Sequence, residues 1–233
     1  RINCPFTLKA VGPALAPPPA SPDPPTGSRL GDHRRPGPTL TAKDQAVGAK
    51  RMALCVYNRK GTLARQTLLA PTKEAQDAAM AKLMGEVQCF AEFSNDMVEE
   101  RRVAFPPEIM RGMLAEAALD RSRAEADALQ PLPLQQIYQR NWFTITGRHL
   151  SVDEMGACIA DTNPAGIAAL IRTEPASKEE NTAFGGLMDN LGKCLRAGTN
   201  LQANRQSLRA ALADALYQRL QAPPTAPPLG ARM

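Results

Sequence analysis

The residues best suited to chemistry in this 233-residue chain are five cysteines, Cys4, Cys55, Cys89, Cys158 and Cys194, and two histidines, His33 and His149. A thiol becomes a nucleophile or a metal ligand where a cation, an imidazole or a helix N-terminus draws its proton away. His149 stands nine positions before Cys158, so a nucleophile and base can be drawn there. Cys55 holds the corresponding place in the other half of the chain with no histidine beside it, and one structural cause then explains both cysteines. His33 lies in His33-Arg34-Arg35-Pro36. Zinc ligands usually come in close pairs such as Cys-x-x-Cys, and the sequence has none. No catalytic, metal-binding or cofactor-binding residue is assigned, and no cofactor is expected.

The spacing points instead to cross-links. Cys55 and Cys89 are 34 positions apart, and Cys158 and Cys194 are 36 apart. Each pair would join the end of the first helix of a half to the end of its third. Closing such a loop stabilises by about 3–4 kcal/mol on the chain-entropy argument. Two disulfides imply an oxidising compartment, a periplasm or the cell exterior. The alternative is four buried thiols in a cytoplasmic protein, since free cysteine packs as a small apolar residue. Cys4 has no counterpart.

The elements that would position these cysteines recur at a period of about 100 residues. Met110-Arg111-Gly112-Met113-Leu114-Ala115-Glu116-Ala117 matches Leu208-Arg209-Ala210-Ala211-Leu212-Ala213-Asp214-Ala215. Pro71-Thr72-Lys73-Glu74 mirrors Pro175-Ala176-Ser177-Lys178-Glu179, and Leu83-Met84 mirrors Leu187-Met188. Helix start signals divide each half in the same way. Thr41 to Asp44 opens a helix reaching Cys55, a short helix spans 62–69, and a third runs from Thr72 to about Cys89. Pro106-Pro107-Glu108 then starts a long one. In the second half, Ser151 to Glu154 and Ser177 to Glu180 have the capping-box pattern. Asn163-Pro164 supplies an N-cap followed by proline at the first helical position, and Asn204 caps the last helix. Residues 102–105, 199–203 and 141–146 are the candidates for short extended pieces. Gly185-Gly186 falls inside a helix, as a packing contact.

The fold class expected is all-α: two related helical modules of about four helices each, a tandem internal repeat, at 41–128 and 151–220. A linker at 129–150 joins them. Ten of the 21 prolines lie in the first 40 residues, and four more lie in 221–229. Residues 1–40 and 221–233 therefore read as disordered Pro-rich tails. The chain opens at Arg1 with no basic stretch leading into an apolar segment. A mature product whose signal has been removed, a fragment, and translation from an upstream start all remain open.

From Met155-Gly156-Ala157-Cys158 through Asn163-Pro164 and Leu191-Gly192-Lys193-Cys194 to Asn204-Arg205 and Leu212-Ala213-Asp214-Ala215-Leu216-Tyr217, the second half resembles a group of small alphaproteobacterial proteins. These are uncharacterised alanine-rich helical modules with two cysteines, often with an export signal. The resemblance covers about 70 residues and a more diverged copy in the first half. It implies export and a helical fold, and brings no activity with it.

Charge and motifs exclude several classes. No run of 18 apolar residues exists, so no membrane-spanning helix is expected. Residues 1–51 carry eight basic and three acidic side chains, and residues 52–233 carry twenty of each. Phosphate binding needs basic groups gathered on one surface, so the balanced region argues against nucleic acid despite pairs such as Arg205/Arg209 and Lys193/Arg196. Nucleophile elbows and phosphate-binding glycine loops are absent. Glu99-Glu100 beside Arg101-Arg102 reads as a solvated patch, and Glu74, Glu179 and Glu180 as first-turn carboxylates favoured by the helix dipole. The function expected is that of an exported helical protein with a binding or structural role; its partner is unknown, a protein being one candidate. The alternatives are an enzyme with a polar site between the modules, or a cytoplasmic adaptor or nucleic-acid-associated protein.

Overall fold

The computed structural model describes residues 41–85, 88–89, 106–195 and 204–221. Among them every regular element is a helix. The expected tails (apart from Gln221, which ends the last helix), the extended pieces at 102–105 and 199–203, Arg196 and the Glu99–Arg102 patch lie outside the described residues.

Helix α1 (Ala42–Leu68) starts with a complete capping box: the Thr41 hydroxyl accepts from the Asp44 amide at 3.1 Å, and the Asp44 carboxylate accepts from the Thr41 amide at 3.1 Å. It runs past Cys55 and breaks at Lys60 (φ −129°, ψ 37°), so the expected second short helix continues it across a kink. Helix α2 (Lys73–Met84) is capped by Thr72, and helix α3 (Pro107–Arg121) begins with proline where the missing amide is harmless. A short helix α4 (Arg123–Asp127) follows.

Helix α5 (Leu150–Thr162) departs from its expected start. His149, one residue before the helix, is the cap: its Nδ1 accepts from the Ser151 amide at 3.3 Å and lies 2.8 Å from the Ser151 hydroxyl. Asn163 caps helix α6 (Pro164–Arg172), its Oδ1 accepting from the Gly166 amide. Ser177 caps helix α7 (Lys178–Cys194), and Asn204 caps helix α8 (Arg205–Gln221) through the Ser207 amide at 2.8 Å. The Ser177 box closes differently from the usual pattern. The Glu180 carboxylate accepts from the amide of Ala176, not of Ser177, and Ala176 takes a left-handed φ of 58°.

Helices α3 and α8 cross at the centre. Every residue from 109 to 119 and from 208 to 219 is buried. Helices α1 and α2 cover one side of this pair, and α5, α6 and α7 the other. Small residues set the approach. A Cβ on Gly112 would stand 2.3 Å from the Ala210 carbonyl oxygen and 2.4 Å from its Cα, so no side chain fits there. Gly156 meets Ala215 and Ala211 of α8 similarly, at 3.2–3.4 Å. Gly185 and Gly186, expected at a packing contact, have nothing within 4 Å of a Cβ. Leu187 and Leu191 turn inward as expected, but Met188 is 41% exposed, a quarter-turn off the buried face.

The segment 129–150 is more than a connector. Leu132 donates its amide to the Asp161 carbonyl at 2.6 Å, and Tyr138 and Phe143 are buried against Ala157 and Cys158. Residues 141–145 form turns closed by Phe143 N to Arg140 O and Ile145 N to Trp142 O, so the extended piece expected at 141–146 is absent. Turning there lets Trp142 and Phe143 meet edge to face, ring centres 4.7 Å apart.

Candidate functional site: a buried charge network and its cleft

The four cysteines singled out by their spacing come together in their expected pairs. The sulfurs of Cys55 and Cys89 are 2.08 Å apart with Cα atoms at 5.7 Å, and those of Cys158 and Cys194 are 1.99 Å apart with Cα atoms at 5.6 Å. These distances lie within the range a disulfide spans. Each pair has one buried member, Cys89 or Cys158, and one partly exposed, Cys55 or Cys194. The sulfur of Cys158 is thus directed to Cys194, and His149 is occupied with its cap. The nucleophile–base pairing drawn from their nine-residue spacing is not assembled.

What the sequence reading missed is the charge buried where α3 and α8 cross. Arg111 is wholly buried, and its Nε donates to the Asp214 carboxylate at 2.7 Å. Its remaining donors reach the carbonyls of Thr67 (3.1 Å) and Leu68 (2.7 Å) at the end of α1, and the side-chain oxygen of Gln76 on α2. Arg209 does the same from the other helix. Its Nε and Nη2 grip Glu116 at 2.8 and 2.7 Å, and Nη1 donates to Glu180 of α7 at 2.8 Å. Nη2 also reaches the carbonyls of Ile171 (2.8 Å) and Thr173 (2.9 Å) at the end of α6.

The two clusters are reciprocal. Arg111 and Arg209 are 98 positions apart, as are Glu116 and Asp214, and as are Gly112 and Ala210 at the contact itself. Each arginine takes the carboxylate that stands five residues beyond its counterpart. Within one helix, residues five apart point about 140° away from each other and cannot pair. Each helix must therefore find its counter-charge on the other.

A second cation completes each cluster. Arg148, from the turn before α5, donates to Asp214 at 2.7 Å and to the Glu108 carbonyl at 2.7 Å. Lys50 of α1 lies 2.7 Å from Glu116 and also donates to the carbonyls of Ile171 and Thr173. Burial alone pushes the Asp214 carboxyl up, but Arg111 and Arg148 more than offset it and hold its pKa below the ordinary carboxylate value. Burial likewise pulls Arg209 down, and the bonds to Glu116 and Glu180 reverse the sign. Arg209, read from its spacing as sharing a helix face with Arg205, is buried, and its donors are taken by Glu116, Glu180 and the carbonyls.

The clusters differ in one respect. Around Arg209 the second carboxylate is Glu180, whereas around Arg111 the first turn of α2 offers neutral Gln76. Asp153 of α5 fills that place loosely: Oδ2 accepts from the Thr146 hydroxyl at 2.6 Å, while Oδ1 is 3.7 Å from Arg148 and makes no hydrogen bond. Burial, only partly countered by Thr146 and Arg148, pushes its pKa up to about 7. A further pair ties α8 to α5, with Arg219 donating to the Ala160 and Asp161 carbonyls and Arg140 meeting the Asp161 carboxylate at 2.8 Å.

The Lys50–Glu116 pair also divides a cleft between α1, α3, α6 and α8. One part, about 270 Å³, is walled mostly by apolar residues of α1, α3, α4 and α6. The other, about 330 Å³, is bordered by Arg205, Gln206, Asn204 and the turn at Ala176, whose φ is left-handed. Among the described residues no group of three or more His, Cys, Asp and Glu is arranged to hold a metal ion, and no helix is long and apolar enough to cross a membrane. Comparison with known protein families, with curated proteins and with solved structures gave no match.

Proposed function

We propose that this chain is an exported, non-enzymatic helical protein built from a duplicated unit, acting by binding or as a structural component. The observation that carries this reading is the use made of its reactive groups. The cysteines stand in pairs at bonding distance, and the buried Arg111, Arg209, Asp214, Glu116 and Glu180 bind each other. Reciprocity at an offset of 98 supports the duplication, because copying one helix supplies both halves of an exchanged pair. Sulfur pairs of this geometry support an oxidising compartment, since cytoplasmic thiols are kept reduced.

The test is alkylation of unreduced protein from its native cell, followed by peptide mapping. Periplasmic or secreted protein is expected to give the linked peptides Cys55/Cys89 and Cys158/Cys194, with label entering only after reductant. Labelling of all four thiols without reductant in a cytoplasmic fraction would overturn the export.

A further inference from the structure

We propose that the smaller cavity of the cleft binds a linear apolar carboxylate, its chain lying between α1, α3 and α6 and its head group at Arg123 and Arg172. This rests on the reading that the chain acts by binding, and gives that reading a ligand class. The walls come from Leu54, Met113, Ala117, Leu119, Ala168 and Ile171, an apolar lining with the Lys50–Glu116 pair at one end. At about 270 Å³ the cavity is near the small end of ligand pockets, roughly 300–1,000 Å³.

Its charged groups divide by how firmly they are held. Lys50 and Glu116 are held: Lys50 has three oxygen partners and Glu116 is also gripped by Arg209. At the mouth, Arg123 pairs with Asp120 and Arg172 with Asp127, all four side chains 42–61% exposed. Exposed pairs of this kind contribute little and exchange readily. A ligand carboxylate can therefore replace Asp120 or Asp127 on a guanidinium without uncovering a buried charge. Among the residues that line the cavity, Lys50, Arg123 and Arg172 outnumber Glu116 and Asp120, so a cation there would meet one more like charge than opposite charge. The cavity thus favours an apolar chain and the mouth a negative head.

The experiment is isothermal titration calorimetry of the full chain, disulfides intact, with decanoate, octanoate and decyltrimethylammonium. Decanoate is expected to saturate one site. Octanoate should bind about tenfold more weakly, following the loss of two buried methylenes, and the cationic amphiphile at least tenfold more weakly than decanoate. Arg123→Gln with Arg172→Gln should weaken decanoate about tenfold with an unchanged melting temperature. Leu54→Trp, which fills the cavity, should abolish binding. Ala126→Leu serves as a second filler if Leu54→Trp does not fold. No saturable binding, equal binding of the cation, or undiminished binding by a folded filler variant overturns the proposal. None of these outcomes touches the sulfur links on which the export reading stands.

Discussion

Asp153 and Arg209 show how differently two buried charges can be treated. Asp153 is 2% exposed, with one oxygen bonded to Thr146 and the other making no hydrogen bond, and its pKa is raised to about 7 from 3.8. A raised carboxyl binds its proton more tightly folded than unfolded. Its contribution to stability is complete below about pH 4 and is lost as pH rises through about 7. Urea midpoints measured from pH 4 to 8 should therefore fall across that window, and Asp153→Asn, which keeps an acceptor for Thr146, should flatten the fall. A slope unchanged in the variant would place the titration elsewhere. Arg209 is the opposite case. Arg209→Met leaves Glu116 with Lys50 alone and takes from Glu180 its only ion-pair partner among the described residues, Glu180 being 3% exposed. Stranding buried charge in this way costs about 3–5 kcal/mol. Arg111→Met should cost less, because Asp214 keeps Arg148. Denaturant unfolding of both variants checks the order.

Among the helices, the glycines separate contact from mere presence. Gly112→Ala must push α3 off α8, because the new methyl would overlap the Ala210 backbone. Overpacking against rigid backbone lies at or above the usual 1–3 kcal/mol, so a loss of about 3 kcal/mol or more is expected. Gly185→Ala meets open space within α7 and should stabilise by about 0.5–1 kcal/mol through helix propensity. Thermal melts of the two variants should move in opposite directions. The same helices show what the sequence could express. Caps are local, a hydroxyl or amide oxygen three residues from the amide it serves, so Thr41, Thr72, Asn163, Ser177 and Asn204 were readable in a line of letters. The cysteine pairs were readable because the two halves repeat their spacing. Burial of α3 and α8 on all sides was not, since their arginines and carboxylates break any apolar stripe and pair across 93 and 103 residues of chain. A trace of it was present: an arginine and an acid five apart, unable to pair on one helix, occur at corresponding places in both halves.

At the scale of the whole molecule, the exchanged pairs make the two proposed modules depend on each other. Without α8, Arg111 loses its carboxylate; without α3, Arg209 keeps Glu180 but loses both bonds to Glu116. Gln218 of α8 also donates to the Leu68 carbonyl at the end of α1. The segment 129–150 strengthens the same link: Arg148 joins Asp214, and the carbonyl of Gln130 accepts from Arg219. Independent modules would unfold in two steps, since each would carry its own core. Here separating them would strip Arg111 of its carboxylate and leave Asp214 with Arg148, Arg209 with Glu180 and Glu116 with Lys50, a state that removing these partners makes unfavourable. With the disulfides intact, the described body should therefore unfold in one transition. Far-UV circular dichroism, which reports all the helices, and fluorescence of Trp142, the sole tryptophan, which sits in the 129–150 segment, should give superimposable urea curves. A fluorescence midpoint well below the helical one would mean that the segment detaches first, and that the exchanged charges do not couple the halves as their geometry implies.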